Sequence, residues 1–209
     1  MLESPFELLN KYIPVSYEIF ERLKLYNDLL LKWQDKINLV GKDTLNDVWR
    51  RHFLDSLQLI NFIEDKNKII VDLGSGAGFP GMVLAICGYE NVHLIESDSR
   101  KVAFLREVAR ITDTKISIHN CRIENNPIIK IDIFVSRALA PLEKLFKLIE
   151  KSVSHGTICF FHKGKNYSIE NESALLHYQY DITVTQSVAD LHGVVLRISN
   201  IRKGCDGKI

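Results

Sequence analysis

Ile69-Ile70-Val71-Asp72-Leu73-Gly74-Ser75-Gly76-Ala77-Gly78-Phe79-Pro80-Gly81 is the stretch whose reading decides the fold. A short run of β-branched apolar residues ends in an acid. Glycines follow at 74, 76, 78 and 81, and the apolar run Met82-Val83-Leu84-Ala85-Ile86 comes next. The pattern predicts a buried strand, a turn and a helix. Glycine belongs where backbone takes a positive φ or lies flat against a ligand. Pro80 suits a first helical turn, where its missing N–H is no loss. An open helix N-terminus and bare backbone then face a bound nucleotide or nucleoside, so a cofactor site is expected here.

Two cofactors match the glycine spacing. Gly76-Ala77-Gly78-Phe79-Pro80-Gly81 fits the dinucleotide pattern G-x-G-x-x-G. Read one step earlier, Asp72 to Gly78 is D-x-G-x-G-x-G, the signature of methyltransferases that use S-adenosylmethionine. Asp72 separates the two. A carboxylate repels a pyrophosphate and attracts a ligand carrying an ammonium and a sulfonium, which favours S-adenosylmethionine over a nicotinamide dinucleotide.

Outward from this stretch, the 209 residues suit one domain, or one domain with an attached cap. Lys+Arg 27 against Asp+Glu 26 leave a net charge of +1, so any basic surface has to arise by clustering. Cys87, Cys121, Cys159 and Cys205 form no C-x-x-C pair and read as buried free thiols of a reducing compartment, not as metal ligands. Met1-Leu2-Glu3-Ser4-Pro5 has no basic, apolar leader pattern. No window approaches the roughly 18 apolar residues that span a bilayer. A soluble cytoplasmic protein is the expectation.

Residues 1–64 read as a helical cap and 65–209 as the cofactor-binding domain. In the cap a short helix is predicted over 5–12. A second, capped by Ser16, carries Ile19, Leu23, Tyr26, Leu30, Trp33 and Ile37 on one face. A third starts at a capping-box-like Thr44-Leu45-Asn46-Asp47 and carries Trp49, Phe53, Leu57 and Ile60. These stripes are expected to dock the cap onto the domain that follows. Beyond Asp65-Lys66-Asn67-Lys68, strands are predicted at 69–73, 91–96, 115–118, 131–136 and 157–162, with helices between them. Two closing strands follow near 180–188 and 194–201. Strands separated by helices imply right-handed βαβ units and a mainly parallel sheet, and the short final link implies one antiparallel strand. The expected fold is therefore α/β: a Rossmann-like class I S-adenosylmethionine-dependent methyltransferase with a seven-stranded sheet and an N-terminal helical cap.

Ligands of open parallel sheets lie beyond the carboxyl ends of the strands. That rule selects Asp72, Gly74, Gly76, Gly78 and Phe79 after the first strand. Glu96 ends the second and follows Asp72 by 24 residues, near the roughly 20-residue spacing of a ribose-binding acid. Asp98 is its competitor. Ile123-Glu124 offers an apolar surface and an acceptor for adenine, although Glu124 also reads as a plain loop acid. Arg137 ends a strongly apolar strand and needs an anionic partner there: cofactor, target, or a structural pair with Asp55 or Glu124. In the cap, Arg50 and Arg51 read either as a solvated helix face, with Arg51 pairing with Asp55, or as a positive lip for RNA phosphate.

With these residues assembled, the chain resembles the glucose-inhibited division protein B family, bacterial small-subunit ribosomal RNA methyltransferases that make N7-methylguanine. The resemblance rests on Arg51-His52-Phe53-Leu54-Asp55-Ser56, on Val71 to Gly81, and on Ser136-Arg137-Ala138, with weaker support from Lys163-Gly164 and from His192 to Arg197. It implies that Gly74, Phe79, Ile123, Glu124 and Arg137 hold the cofactor. It also implies 16S ribosomal RNA, free or within the small subunit or its precursor, as partner, and as target a guanine in the pseudoknotted loop beside the decoding centre. Guanine N7 carries a lone pair and no proton, so no general base is expected. The chain has neither a Pro-Cys nucleophile pair nor the Asn-Pro-Pro-Tyr motif of exocyclic-amine methylation, in whose place stands Ser136-Arg137-Ala138. Candidate RNA contacts are Arg50, Arg51, Lys163, Lys165, Arg197, Arg202 and Lys203, with His162 as a stacking group.

Overall fold

The computed structural model describes residues 3–204; Cys205 lies outside them. Two helices open the chain, α1 (Pro5–Tyr12) and α2 (Tyr17–Gln34). Ser4 and Ser16 accept backbone N–H groups from Glu7 and Ile19 and so start them.

The third cap helix forms differently from its prediction. Lys42–Asp47 is a 3-10 segment, Trp49–Leu54 a wider π-type turn, α3 a single turn at Asp55–Leu57, and Gln58–Asn61 a second 3-10 segment. Thr44 does not cap it, because its hydroxyl lies 2.6 Å from the Gly41 carbonyl and 2.7 Å from His52 Nε2. The predicted stripe still works: Phe53 and Leu57 are fully buried, and Trp49 and Ile60 pack against the core.

Seven strands make one sheet: β1 (Ile69–Leu73), β2 (Asn91–Glu96), β3 (Ser117–Asn120), β4 (Ile133–Arg137), β5 (Ile158–Lys163), β6 (Tyr178–Gln186) and β7 (Val194–Lys203). Their order is β3-β2-β1-β4-β5-β7-β6, with β1 to β5 parallel and β7 antiparallel to both its neighbours. The helices between are α4 (Gly81–Ile86), α5 (Ser99–Ile111), α6 (Leu142–Ile149) and α7 (Tyr167–Leu175). The chain leaves β1 towards β2 on one side and returns to β4 on the other. The crevice at this reversal, beyond Leu73 and Arg137, is where open sheets bind ligands.

The core lies in two layers. One unites α6 and α7 with Val71, Leu73, Phe134 and Phe161. The other holds Leu9, Leu23, Tyr26, Leu30, Phe53 and Leu57 of the cap together with Met82, Val83, Phe104 and Leu105 of α4 and α5. Arg22 bolts this seam: its guanidinium donates to the carbonyls of Ile86, Thr112 and Asp113 and to the Thr114 hydroxyl. These are C-terminal carbonyls of α4 and α5 that lack helical partners, and a cation is favourable at that end. Cys87 and Cys159 are buried free thiols, and burial pushes the Cys87 thiol up to about 12. No helix among the described residues is long and apolar enough to cross a membrane.

Candidate cofactor and substrate site

A cavity of about 1000 Å³ opens at the crevice between β1 and β4. Its floor is the glycine turn. Gly74 and Gly76 stand at φ +63° and +56°, in the left-handed region. A Cβ on Gly74 would lie 2.5 Å from Leu139 Cδ1, so the loop after β4 closes directly on the turn. The Ser136 hydroxyl donates to the Leu73 carbonyl (3.1 Å) and fixes the ends of the two strands together.

Glu96 sits at the cavity wall, 8% exposed. Its Oε2 accepts the Gly76 N–H (2.9 Å) and its Oε1 the Asp98 N–H (2.7 Å), so the carboxylate is locked in place with lone pairs remaining. Ile123 and Glu124, on a 3-10 turn after β3, line the same end of the cavity. Asp98 turns away to cap α5 and to pair with Arg100, so of these two acids Glu96 is the one on the cavity.

Asp72 and Gly78 are placed differently from their predicted roles: neither reaches the cavity. Asp72 is fully buried behind the turn, where its Oδ2 accepts the Gly81 N–H (2.9 Å) and its Oδ1 has no partner. It caps α4 from below. Removal from water raises the carboxyl to about 7, against the opposing pull of the Gly81 hydrogen bond. A strand-ending acid and a cavity acid look alike in sequence; only the twist of the turn decides which way the side chain falls.

Phe79 is 3% exposed and lines the cavity, stacked on Tyr26 (5.2 Å) and on His52 (5.1 Å). The Arg137 guanidinium lies 4.9 Å from its ring centroid. Arg137 Nη1 donates to the Arg51 carbonyl (2.8 Å) and stands 3.7 Å from Asp55 Oδ2. Of the readings left open for this arginine, the pair with Asp55 is formed, and the guanidinium still lines the cavity. Arg51 does not pair with Asp55 but with Asp190, at 2.6 Å.

Asp55 joins four elements. Its Oδ1 takes Gln58 Nε2 (2.8 Å) and the Ser187 hydroxyl (3.1 Å), and its backbone carbonyl takes His162 Nε2 (2.7 Å). His162 is therefore 6% exposed and committed to the cap, not free to stack on a base. His52 is equally buried, and desolvation with the nearby charges of Arg137 and Arg51 drives its pKa down to about 3. It is a neutral ring at neutral pH.

The basic candidates divide sharply. Lys163, whose side chain is 8% exposed, donates to the Ala140 carbonyl (2.5 Å) and pairs with Glu170 (2.7 Å), which also accepts the Leu142 N–H. It lines the cavity, but its ammonium is spent on holding the loop after β4. Arg197 pairs in register with Phe160 in mid-strand, and Arg202 and Lys203 follow towards the amino ends of the parallel strands, Lys203 beside Glu150. Antiparallel β7 carries them away from the crevice. Arg50 and Lys165 do not line the cavity either. Besides Arg51, Arg137 and Lys163, which are paired, the cations that do are Lys101, Arg122 and Lys144, with no ion-pair partner among the described residues. Sequence reasoning missed these three. Lys101 and Lys144 stand in the first turns of α5 and α6, where the helix dipole disfavours a cation. That local conflict was a readable signal.

The strand order, the positive-φ turn after β1 and the locked acid after β2 define a class I S-adenosylmethionine-dependent methyltransferase. Two solved structures share the fold. Magnesium protoporphyrin IX methyltransferase from Synechocystis PCC 6803, with bound S-adenosylmethionine, aligns at TM-score 0.61 and 11% identity over 90% of this chain and 98% of that one. Ribosomal protein L11 methylase from Lactobacillus delbrueckii subsp. bulgaricus aligns at 0.59 and 17% over 77% and 80%. The chain belongs to the rRNA small subunit methyltransferase G (GidB) family, whose model matches residues 19–199. It is 48% identical over 202 residues to ribosomal RNA small subunit methyltransferase G of Paramagnetospirillum magneticum, covering 96% of this chain and 97% of the relative. It is 46% identical over 198 residues to the Orientia tsutsugamushi (strain Boryong) protein of that name, covering 95% and 99%.

Proposed function

We propose that this cleft transfers the methyl group of S-adenosylmethionine to N7 of a guanine in 16S ribosomal RNA, in the pseudoknotted loop beside the decoding centre. The observation that carries the reading is one cavity with two unlike ends. Gly74, Gly76, Glu96 and Ile123 suit a nucleoside cofactor at one end, and Arg51, Asp55, Arg137 and Asp190 suit a polar base at the other.

S-adenosylmethionine supplies an electrophilic methyl group on a sulfonium. The bare backbone of Gly74 and Gly76 admits its amino-acid portion, Glu96 accepts from the ribose diol, Ile123 packs on adenine, and Glu124 takes the adenine amino group. Phe79, clamped by Tyr26 and His52, holds Arg137 at the junction of the two ends. Guanine N7 needs no deprotonation, so the protein contributes alignment and dryness, and holding two reactants in line is worth on the order of 7–11 kcal/mol. The base becomes cationic as it is methylated, and the fixed carboxylates of Asp55 and Asp190 stabilise that developing charge. Asp72 acts from behind, as a buried carboxyl that accepts the Gly81 N–H and steadies the turn. Lys101, Arg122, Lys144 and Arg51 meet RNA phosphates. The enzyme then works where small subunits are assembled, in the cytoplasm.

Incubation with methyl-labelled S-adenosylmethionine and 16S RNA, small subunits or total protein tests the reading. N7-methylguanine at one position of the RNA, read by mass spectrometry, is the expected product; label in protein or at another atom overturns it.

A further inference from the structure

Leu191 stands in the link between β6 and β7 with 91% of its surface exposed. A single exposed leucine is ordinary; the way this one is held is not. Ser187 fastens the start of the link to Asp55 (3.1 Å). Gln186 Nε2 donates to the carbonyls of Asp190 (3.0 Å), Leu191 (3.1 Å) and Gly193 (2.8 Å). The Asp190 carboxylate accepts the His192 N–H (3.0 Å) and pairs with Arg51 (2.6 Å). Asp190 and Gly193 line the cavity. The hydrogen-bonded link therefore holds Leu191, its most exposed apolar side chain, next to cavity-lining Asp190 and close to Arg51.

We propose that Leu191 is a wedge that enters the RNA base stack as the target guanine leaves it and turns into the cavity. This rests on the guanine reading given above. N7 has to reach a point inside the cleft, so a guanine stacked in a structured loop has to swing out, and unstacking costs a few kcal/mol. An apolar side chain inserted at the vacated step restores part of the lost contact. Arg51 and its neighbouring cations hold the phosphates, and the hydrogen-bonded link keeps Leu191 from folding back.

Leu191→Ala and Leu191→Met are compared on two RNAs: the folded target loop, and the same loop with an abasic nucleotide beside the guanine, which leaves that base loosely stacked. Single-turnover N7 methylation, S-adenosylmethionine affinity by calorimetry, and fluorescence of 2-aminopurine placed next to the target are read. Leu191→Ala is expected to slow the folded loop about tenfold and blunt the unstacking signal, yet match wild type within about twofold on the abasic RNA. Cofactor affinity stays unchanged, and Leu191→Met restores the rate. Equal slowing on both RNAs, or on neither, overturns the wedge while leaving the guanine reading intact. A wild-type protein that methylates neither RNA sinks both.

Discussion

Asp72 and His52 are two buried groups that meet the same turn from opposite sides, and burial drives them in opposite directions. Asp72 is raised from its ordinary 3.8 to about 7, so between those values the folded chain holds a proton that the unfolded chain has released. Its contribution is full below about pH 4 and fades as pH rises to 7. His52 is lowered from 6.5 to about 3, so there the unfolded chain holds the extra proton. Its contribution is full above about pH 6.5 and fades as pH falls. The two slopes offset each other between pH 4 and 6.5. Denaturant titrations across that window are expected to show stability rising with pH in Asp72→Asn and falling with pH in His52→Asn. In the first variant the introduced amide oxygen still accepts the Gly81 N–H, so the cap on α4 is kept. A flat profile in either variant contradicts the assignment.

At the scale of elements, the loop between β4 and α6 is built by Lys163 at the end of β5 and Glu170 on α7. Both hold it through main-chain groups, at Ala140 and Leu142. Lys163→Ala removes two charge-assisted hydrogen bonds, to the Ala140 carbonyl and to the half-buried Glu170, and costs about 2 kcal/mol. A lowered melting temperature with an unchanged salt dependence of RNA binding is the expected result. Lys144→Ala, an exposed first-turn cation, is expected to do the reverse. It should reduce the slope of log affinity against log salt by about one phosphate contact and leave melting unaltered. In sequence the two lysines are indistinguishable, and the motif Lys163-Gly164 singles out the one that is paired. Whether a lysine ends at a phosphate or a carboxylate depends on which element lies opposite it.

Across the whole molecule, the cap is part of the catalytic frame and not an appendage. Tyr26 of α2 donates its hydroxyl to the Ala77 carbonyl within the glycine turn, Asp55 holds Arg137 and the β6–β7 link, and Arg22 closes the ends of α4 and α5. Residues 65–204 alone would expose the apolar face that Leu23, Leu30 and Phe53 now cover. Full-length protein is therefore expected to unfold in one transition, coincident by circular dichroism and by tryptophan fluorescence from Trp33 and Trp49; two separated transitions would show an independent cap. The sequence by itself determined the strand–turn–helix at 69–86, the alternation of strands and helices after it, the antiparallel β7 and the residues near the strand ends. These follow from local periodicity and from glycine placement, which neighbours along the chain suffice to set. Only the tertiary structure decided that Asp72 faces inward while Glu96 faces the cavity, that Lys163 is buried while Lys144 is free, and that Asp55 pairs with Arg137. Each of those outcomes turns on the direction of one side chain relative to an element distant in sequence, and that direction does not exist until the chain has packed.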